Sequence, residues 1–301
     1  GSKGALRLSA SYASEREQFG RPIATFGMIR QKLAEMATRT YAGESAAYRL
    51  VGQIDRAIEG KTGTTAVLSG IQEYAAECAM LKVLGTETLD YCVDEGVQIH
   101  GGYGFLQDYP IERAYRDSRI NRLFEGTNEI NRLLAPATLI RRAAKGDMVL
   151  SALSTHTIPS GTSTEQQEVA NLKRLALELT RLTFERFGRA AEEEQEVLAA
   201  IGDILIETYA AESAIIRAEQ TGNQLWGKMA RIYLDGALER AQMRANAILP
   251  RITDDVFTLL DRVRSLTRHE ARDLIAVQRE IADAVLAAGG YPATSRAGVT
   301  A

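Results

Sequence analysis

The chain has 301 residues, of which 45% are hydrophobic, so it can bury the core of one large or two medium domains. Its formal net charge of −3, with acidic and basic residues in similar numbers, offers no basic surface for nucleic acid. No apolar run reaches the length of a membrane span or a signal-peptide core, and Cys78 and Cys92 are expected to be reduced core residues.

Helical periodicity dominates the first hundred residues. The pattern predicts a first helix over Leu6–Arg16, a second over Gly27–Ile58 and a third over Thr65–Ile99. The glycines at residues 60–63 separate the second helix from the third. Two long helices joined by so short a break are expected to lie antiparallel and to begin a bundle.

The periodicity stops at residues 98–105, where Gly101, Gly102 and Gly104 fall within four positions. Such glycines can cradle a phosphate through their backbone amides, but a corner between two helices uses them equally well. His100 is expected to be an ordinary hydrogen-bonded histidine beside this corner. A short helix over Pro110–Ser118 follows.

Glu125 is the strongest candidate for chemistry. It follows Leu123 and Phe124, whose apolar side chains would raise its pKa by desolvation and make it a better base. Gly126 would allow a ligand to come close, and Thr127 or Asn128 could cap the next helix. Alternatively, Glu125 is a loop carboxylate near a helix start, and spacing alone favours this second interpretation.

The rest of the chain also has helical periodicity. A helix to about Lys145 is expected to kink at Pro136, and residues 146–165 read as a linker rich in Ser, Thr, Gly and Pro. The predicted class is therefore all-α: an antiparallel helical bundle at 1–145, the linker, a second helical domain at 166–290 and a tail at 291–301. No His, Cys or carboxylate cluster has metal-ligand spacing, so no metal site is predicted.

Five motifs carry a resemblance to a known family, and they lie at residues 14–23, 31–36, 98–105, 115–117 and 124–130. In this order and spacing they resemble the C-terminal helical domain of acyl-CoA dehydrogenases. Residues 166–290 resemble, more weakly, the extra helical region of the very-long-chain branch.

The resemblance assigns roles to individual residues. Glu125 matches the base that removes the α-proton of an acyl-CoA while a hydride leaves the β-carbon for FAD, and its backbone amide would hold the thioester carbonyl. Phe124 and Gly126 would border the substrate. The positions that match FAD contacts are Arg16, Gln18 and Phe19, which would reach the FAD of a neighbouring subunit, and Gln98, Gly102, Thr127, Asn128 and Glu129. Gly27 departs from the pattern, since many relatives have a glutamine there.

The resemblance also implies a setting for the chain. We expect the C-terminal part of an enzyme that oxidises fatty acyl-CoA in β-oxidation, acts as a dimer and passes electrons to an electron-transferring flavoprotein. The chain alone would then be inactive. The alternatives are an acyl-CoA oxidase, or a non-catalytic helical assembly module.

Two further expectations concern the surroundings of the protein. Arginine greatly outnumbers lysine, which suggests a bacterial, cytoplasmic protein, or one of the mitochondrial matrix if the source is eukaryotic. The apolar linker residues Met148, Val149, Leu150, Ala152 and Leu153 could form a peripheral membrane contact, although a linker with scattered apolar residues is the commoner case.

Overall fold

The computed structural model describes residues 1–150 and 162–292, and nearly all of these residues are helical. The β-structure within those ranges is one antiparallel pair of two-residue strands, Glu17–Gln18 and Arg21–Pro22. The predicted all-α class is confirmed.

The described α-helices are numbered in chain order. They are α1 (Ser2–Glu15), α2 (Gly27–Ile58), α3 (Thr64–Glu73), α4 (Ala75–His100), α5 (Pro110–Arg119), α6 (Asn128–Lys145), α7 (Thr164–Phe187), α8 (Gln195–Thr221), α9 (Gln224–Ile252), α10 (Val256–Leu266) and α11 (Leu274–Ala288). The 3-10 helices are Ile23–Thr25, Gly101–Phe105, Ile120–Arg122 and Gly188–Glu193.

The bounds predicted for α2 are confirmed, but the single helix predicted over Thr65–Ile99 is wrong. The chain leaves helical geometry at Tyr74 (φ −102°, ψ 22°), and α4 begins at the next residue. Gly70 packs closely on the end of α2, because a methyl group there would lie 2.5 Å from Ile58 Cγ2. Tyr74 is neither glycine nor proline, so no local signal marks the break.

The described residues fall into two compact units, and neither is continuous in sequence. The first unit contains residues 1–41, 85–124 and the chain from Arg272 onward. In it α1 packs against α5 and α11. Leu6, Leu33 and Ile111 are fully buried in this unit.

The second unit contains residues 42–84 and 125–271. Its centre is a set of packed helices in which α8 contacts α6, α7 and α9. Leu175, Leu198 and Ile201 are almost completely buried there. Gly202 lets α8 approach α6, since a methyl group at this position would lie 2.3 Å from the backbone oxygen of Arg132.

The domain boundaries drawn from the sequence remain a prediction. Residues 151–161 of the proposed linker, including Ala152 and Leu153, and residues 293–301 of the tail lie outside the described ranges. In the described part of the linker Val149 is exposed and Leu150 is buried. The helix α11 belongs to the first unit, although the sequence boundaries grouped it with residues 166–290.

Three further expectations concern the cysteines, Pro136 and membrane-spanning helices. Cys78 and Cys92 both lie on α4 and carry free thiols; Cys92 is buried, whereas Cys78 is only partly buried. Pro136 lies inside α6, and the expected kink stays a prediction. Among the described helices, none is both long enough and apolar enough to cross a bilayer.

Candidate active site

The segment that leads into α6 makes a left-handed turn at Glu125 (φ 55°) and Gly126 (φ 82°). Glycine adopts this backbone without steric cost, but a residue with a side chain loses about 1 kcal/mol. Such strain persists where the surroundings hold it, and it is frequent at functional sites. A glutamate has no preference for this conformation, so sequence reasoning could not find it.

Thr127 caps α6, because its Oγ1 accepts a hydrogen bond from the backbone N–H of Ile130 at 3.4 Å. Of the two capping candidates, Thr127 is the one found. Asn128 is instead the first residue of the helix, and only 3% of it is exposed.

Two side chains that the sequence analysis missed hold this turn. The Asn131 side-chain amide donates to the carbonyl oxygens of Gly126 (2.7 Å) and Thr127 (3.0 Å). The Lys82 ammonium donates to Gly126 O and to Asn128 Oδ1, both at 2.8 Å. Asn131 could have been suspected, because it lies one helical turn after the cap. Lys82 could not, since it stands on α4, more than forty residues earlier.

The expected apolar enclosure of Glu125 is wrong for the residues that the structure describes. Glu125 is exposed, and 49% of Leu123 and 46% of Phe124 are exposed as well. The physical reason is that Leu123 and Phe124 are themselves open to solvent and do not cover the neighbouring carboxylate. Glu129 is also exposed.

Residues Gly101–Phe105, called here the glycine corner, follow the end of α4. Of its three glycines, one is tightly packed. A methyl group on Gly104 would lie 2.7 Å from the backbone oxygen of Val97, whereas Gly102 has open space around it. Gly101 has a positive φ of 59°. Gly104 therefore serves the close packing expected of a corner between helices, and the phosphate interpretation of Gly102 stays a prediction.

A cavity of about 480 Å³ opens at this corner, entirely within the first unit. It brings together three residues predicted to bind FAD from two separate motifs: Arg16, Gln18 and Gly102. The Arg16 guanidinium lies 5.4 Å from the centre of the Tyr103 ring. Phe19, which is 93% exposed and also has a positive φ (53°), and Gln98 do not belong to the residues that line this cavity.

His100 also lines this cavity. Its Nδ1 is 2.7 Å from Gly96 O, and because a carbonyl oxygen only accepts, Nδ1 carries the proton. The imidazole stacks on Tyr12 with ring centres 4.2 Å apart. Burial lowers the pKa of His100 despite the hydrogen bond to Gly96. The expectation of a hydrogen-bonded structural histidine is confirmed.

Within the described ranges, no group of three or more His, Cys, Asp or Glu side chains is arranged to hold a metal ion. The candidate residues thus form two separate groups: in the second unit an exposed carboxylate on a strained turn, and in the first unit a cavity lined by one guanidinium and by glycine.

Comparison with known proteins identifies the family of the chain. A family model described as "Acyl-CoA dehydrogenase, C-terminal domain" matches residues 1–140, and a second model with the same description matches residues 171–264. The chain contains the C-terminal helical domain of the acyl-CoA dehydrogenase family. The resemblance inferred from the five motifs is therefore confirmed.

Individual relatives extend the comparison. A "Probable acyl-CoA dehydrogenase" of Bacillus subtilis is 40% identical over an alignment of 317 positions, gaps included. The alignment covers 96% of this chain and 53% of the relative. The crystal structure of an acyl-CoA dehydrogenase from Bacillus anthracis, complexed with FAD, has a TM-score of 0.90 at 40% identity and covers 96% of this chain and 54% of that one.

The very long-chain specific acyl-CoA dehydrogenase of Bos taurus is 39% identical over 131 residues, or 44% of this chain and 18% of the relative. This chain thus spans about half the length of the Bacillus relatives that match it almost end to end.

Proposed function

We propose that the chain supplies the C-terminal helical part of an FAD-dependent acyl-CoA dehydrogenase, which converts a fatty acyl-CoA to its trans-2-enoyl-CoA in β-oxidation. The observation that carries the proposal is the strained turn that presents Glu125 at the N-terminus of α6. The similarity to an FAD-containing acyl-CoA dehydrogenase at 40% identity supports it.

Glu125 would act as the general base. Its carboxylate takes the proton from the α-carbon of the acyl thioester, and the negative charge that develops on the thioester oxygen is stabilised by backbone N–H groups such as that of Glu125. A hydride leaves the β-carbon, so a double bond forms between the two carbons. When bound, FAD supplies the acceptor of that hydride.

The residues at the glycine corner fit an anionic cofactor. Arg16 contributes a guanidinium that can bind phosphate oxygens, and Gly102 has no atoms in contact where a side chain would stand. Both line one cavity together with Gln18, and this cavity would hold the FAD diphosphate. Phe19, Gln98, Thr127, Asn128 and Glu129 remain proposed FAD contacts; Phe124 and Gly126 remain proposed substrate contacts.

The test of the base is Glu125→Gln in the FAD-containing protein. Mixing with acyl-CoA without oxygen should bleach the flavin absorbance of the wild-type protein. The rate of bleaching should be at least about 1,000-fold lower in the variant, because no carboxylate accepts the proton. Unchanged FAD content and melting temperature serve as controls. If the flavin of Glu125→Gln were bleached at the full rate, Glu125 would not be the base.

The electron acceptor separates two versions of the proposal. We propose an electron-transferring flavoprotein as the acceptor, whereas an acyl-CoA oxidase would return the electrons to oxygen. Reduction of the flavoprotein with little hydrogen peroxide supports the dehydrogenase; stoichiometric peroxide formation supports the oxidase.

A dimer is also part of the proposal, since Arg16 and Glu125 would serve active sites formed with different subunits. Inactive Arg16→Ala and Glu125→Gln proteins should regain about a quarter of wild-type activity when their subunits are exchanged, because half of the dimers then contain one intact site. The absence of any recovery after demonstrated subunit exchange contradicts this arrangement.

A further inference from the structure

The carbonyl oxygens of the Glu125 turn converge on two donors from different parts of the second unit. Asn131 lies on α6, which the turn itself begins, and its amide bridges the carbonyls of Gly126 and Thr127. Lys82 lies on α4 and reaches Gly126 O at 2.8 Å. The oxygen of Gly126 therefore accepts hydrogen bonds from both side chains.

The two contacts differ in what they fix. The Asn131 amide closes the turn against its own helix, so it sets the local shape of the turn. The Lys82 ammonium joins the turn to another helix, and its second bond, to the buried Asn128 Oδ1, fixes the first residue of α6 as well. Lys82 thus ties the turn to α4.

The turn depends on such contacts because its backbone is strained. Glu125 and Gly126 are consecutive left-handed residues, and the approach of Asn131 leaves only 2.9 Å for a methyl group on Gly126. Glu125 is exposed, and about half of Leu123 and Phe124 is exposed as well, so apolar packing holds the segment only in part. Hydrogen bonds to the carbonyls therefore decide whether this conformation persists.

We propose that Lys82 is a positioning residue of the active site: by holding the carbonyl of Gly126 and the side chain of Asn128, it aims the Glu125 carboxylate at the substrate. The inference rests on the proposed function, in which Glu125 is the base. Lys82 acts through the turn, so its loss slows proton abstraction and leaves acyl-CoA binding nearly unchanged.

The first experiment needs neither FAD nor substrate. Hydrogen–deuterium exchange of the peptide covering residues 123–131 is compared in wild-type protein, Lys82→Met and Lys61→Met. Lys61 is an exposed lysine of the same unit and is the matched control. Lys82→Met should speed exchange in this peptide about tenfold, while Lys61→Met leaves it unchanged. Equal exchange in the two variants would overturn the proposal.

If Lys82→Met does not melt cooperatively, Lys82→Gln and Lys82→Arg replace it, because each keeps a donor of different length. Faster exchange in residues 123–131 with Lys82→Gln, and less so with Lys82→Arg, supports the proposal. Wild-type exchange in both variants contradicts it.

The second experiment measures flavin reduction by acyl-CoA in the FAD-containing protein. Lys82→Met should lower the saturating rate constant about 100-fold and change the half-saturating substrate concentration less than about threefold. The saturating rate constant of Lys82→Arg should be at least about tenfold higher than that of Lys82→Met. A merely structural role would lower melting temperature and FAD content without this split between rate and binding.

The two failures can be told apart. A wild-type protein that contains FAD but is not reduced by any acyl-CoA contradicts the proposed function, while the exchange test on Lys82 still stands. A wild-type protein that is reduced, together with a Lys82→Met protein reduced at the same rate, contradicts the role of Lys82 alone.

Discussion

The Glu125 turn and the glycine corner both interrupt the helices with glycine, but different forces hold them. Hydrogen bonds from Lys82 and Asn131 hold the turn, whose surface is exposed. Close packing holds the corner, where Gly104 touches the backbone of Val97 and His100 stacks on Tyr12. Substitutions at the turn should therefore change the reaction rate more than the stability, and substitutions inside the corner should change the stability first.

The largest effect on stability is expected at Gly104. In Gly104→Ala the added methyl group lies 2.7 Å from Val97 O and 3.1 Å from His100 Cβ, so the backbone must move. We expect a loss of about 3 kcal/mol in the free energy of unfolding, measured by urea titration. Gly102→Ala is the matched control, because nothing lies near its methyl group, and its change should stay within about 0.5 kcal/mol. Equal losses in both variants would contradict the assignment of packing to Gly104.

A smaller effect separates backbone strain from side-chain contacts. Phe19 and Glu125 are the non-glycine residues with positive φ in the described ranges. At each position the glycine variant should be more stable than the alanine variant by about 1 kcal/mol, because both lose the side chain but only glycine relieves the strain. Thermal unfolding of the four proteins measures the difference. Alanine as stable as glycine at either position would argue against strain there.

The smallest effect is a pH dependence at the corner. Burial lowers the pKa of His100, so below about pH 6.5 the unfolded chain takes up a proton that the folded chain resists. The stability contributed by neutral His100 is fully present above that pH and is lost as the pH falls below it. His100→Gln should show a flatter decline of unfolding free energy between about pH 7 and pH 5.5 than the wild-type protein. Parallel curves would contradict this contribution.

Local patterns in the sequence were sufficient for much of this structure. The bounds of α2 follow from its apolar periodicity and the glycines after it, and residue type restricted the cap of α6 to Thr127 or Asn128. Features that depend on contacts between distant residues were missed: the break at Tyr74, the bond from Lys82 to Gly126 and the burial of Asn128. A periodic pattern reports which face of a helix is buried, but not which helix lies against it.

The same limit applies to the candidate site. Motif order predicted roles for Glu125, Arg16, Gln18 and Gly102, and the structure places the last three around one cavity. The strain at Glu125 and its exposed surroundings had no counterpart in the sequence, because neither glutamate nor the apolar Leu123 and Phe124 indicates a left-handed turn at the surface.

The most direct test of Glu125 as the base follows the α-carbon itself. An acyl-CoA carrying deuterium at its α-carbon is incubated with the FAD-containing protein in ordinary water, and the deuterium remaining in recovered substrate is measured by mass spectrometry. The wild-type protein should release the label to solvent, because the carboxylate removes and returns the proton reversibly. Glu125→Gln should retain the label; release of deuterium by this variant at the wild-type rate would contradict the account.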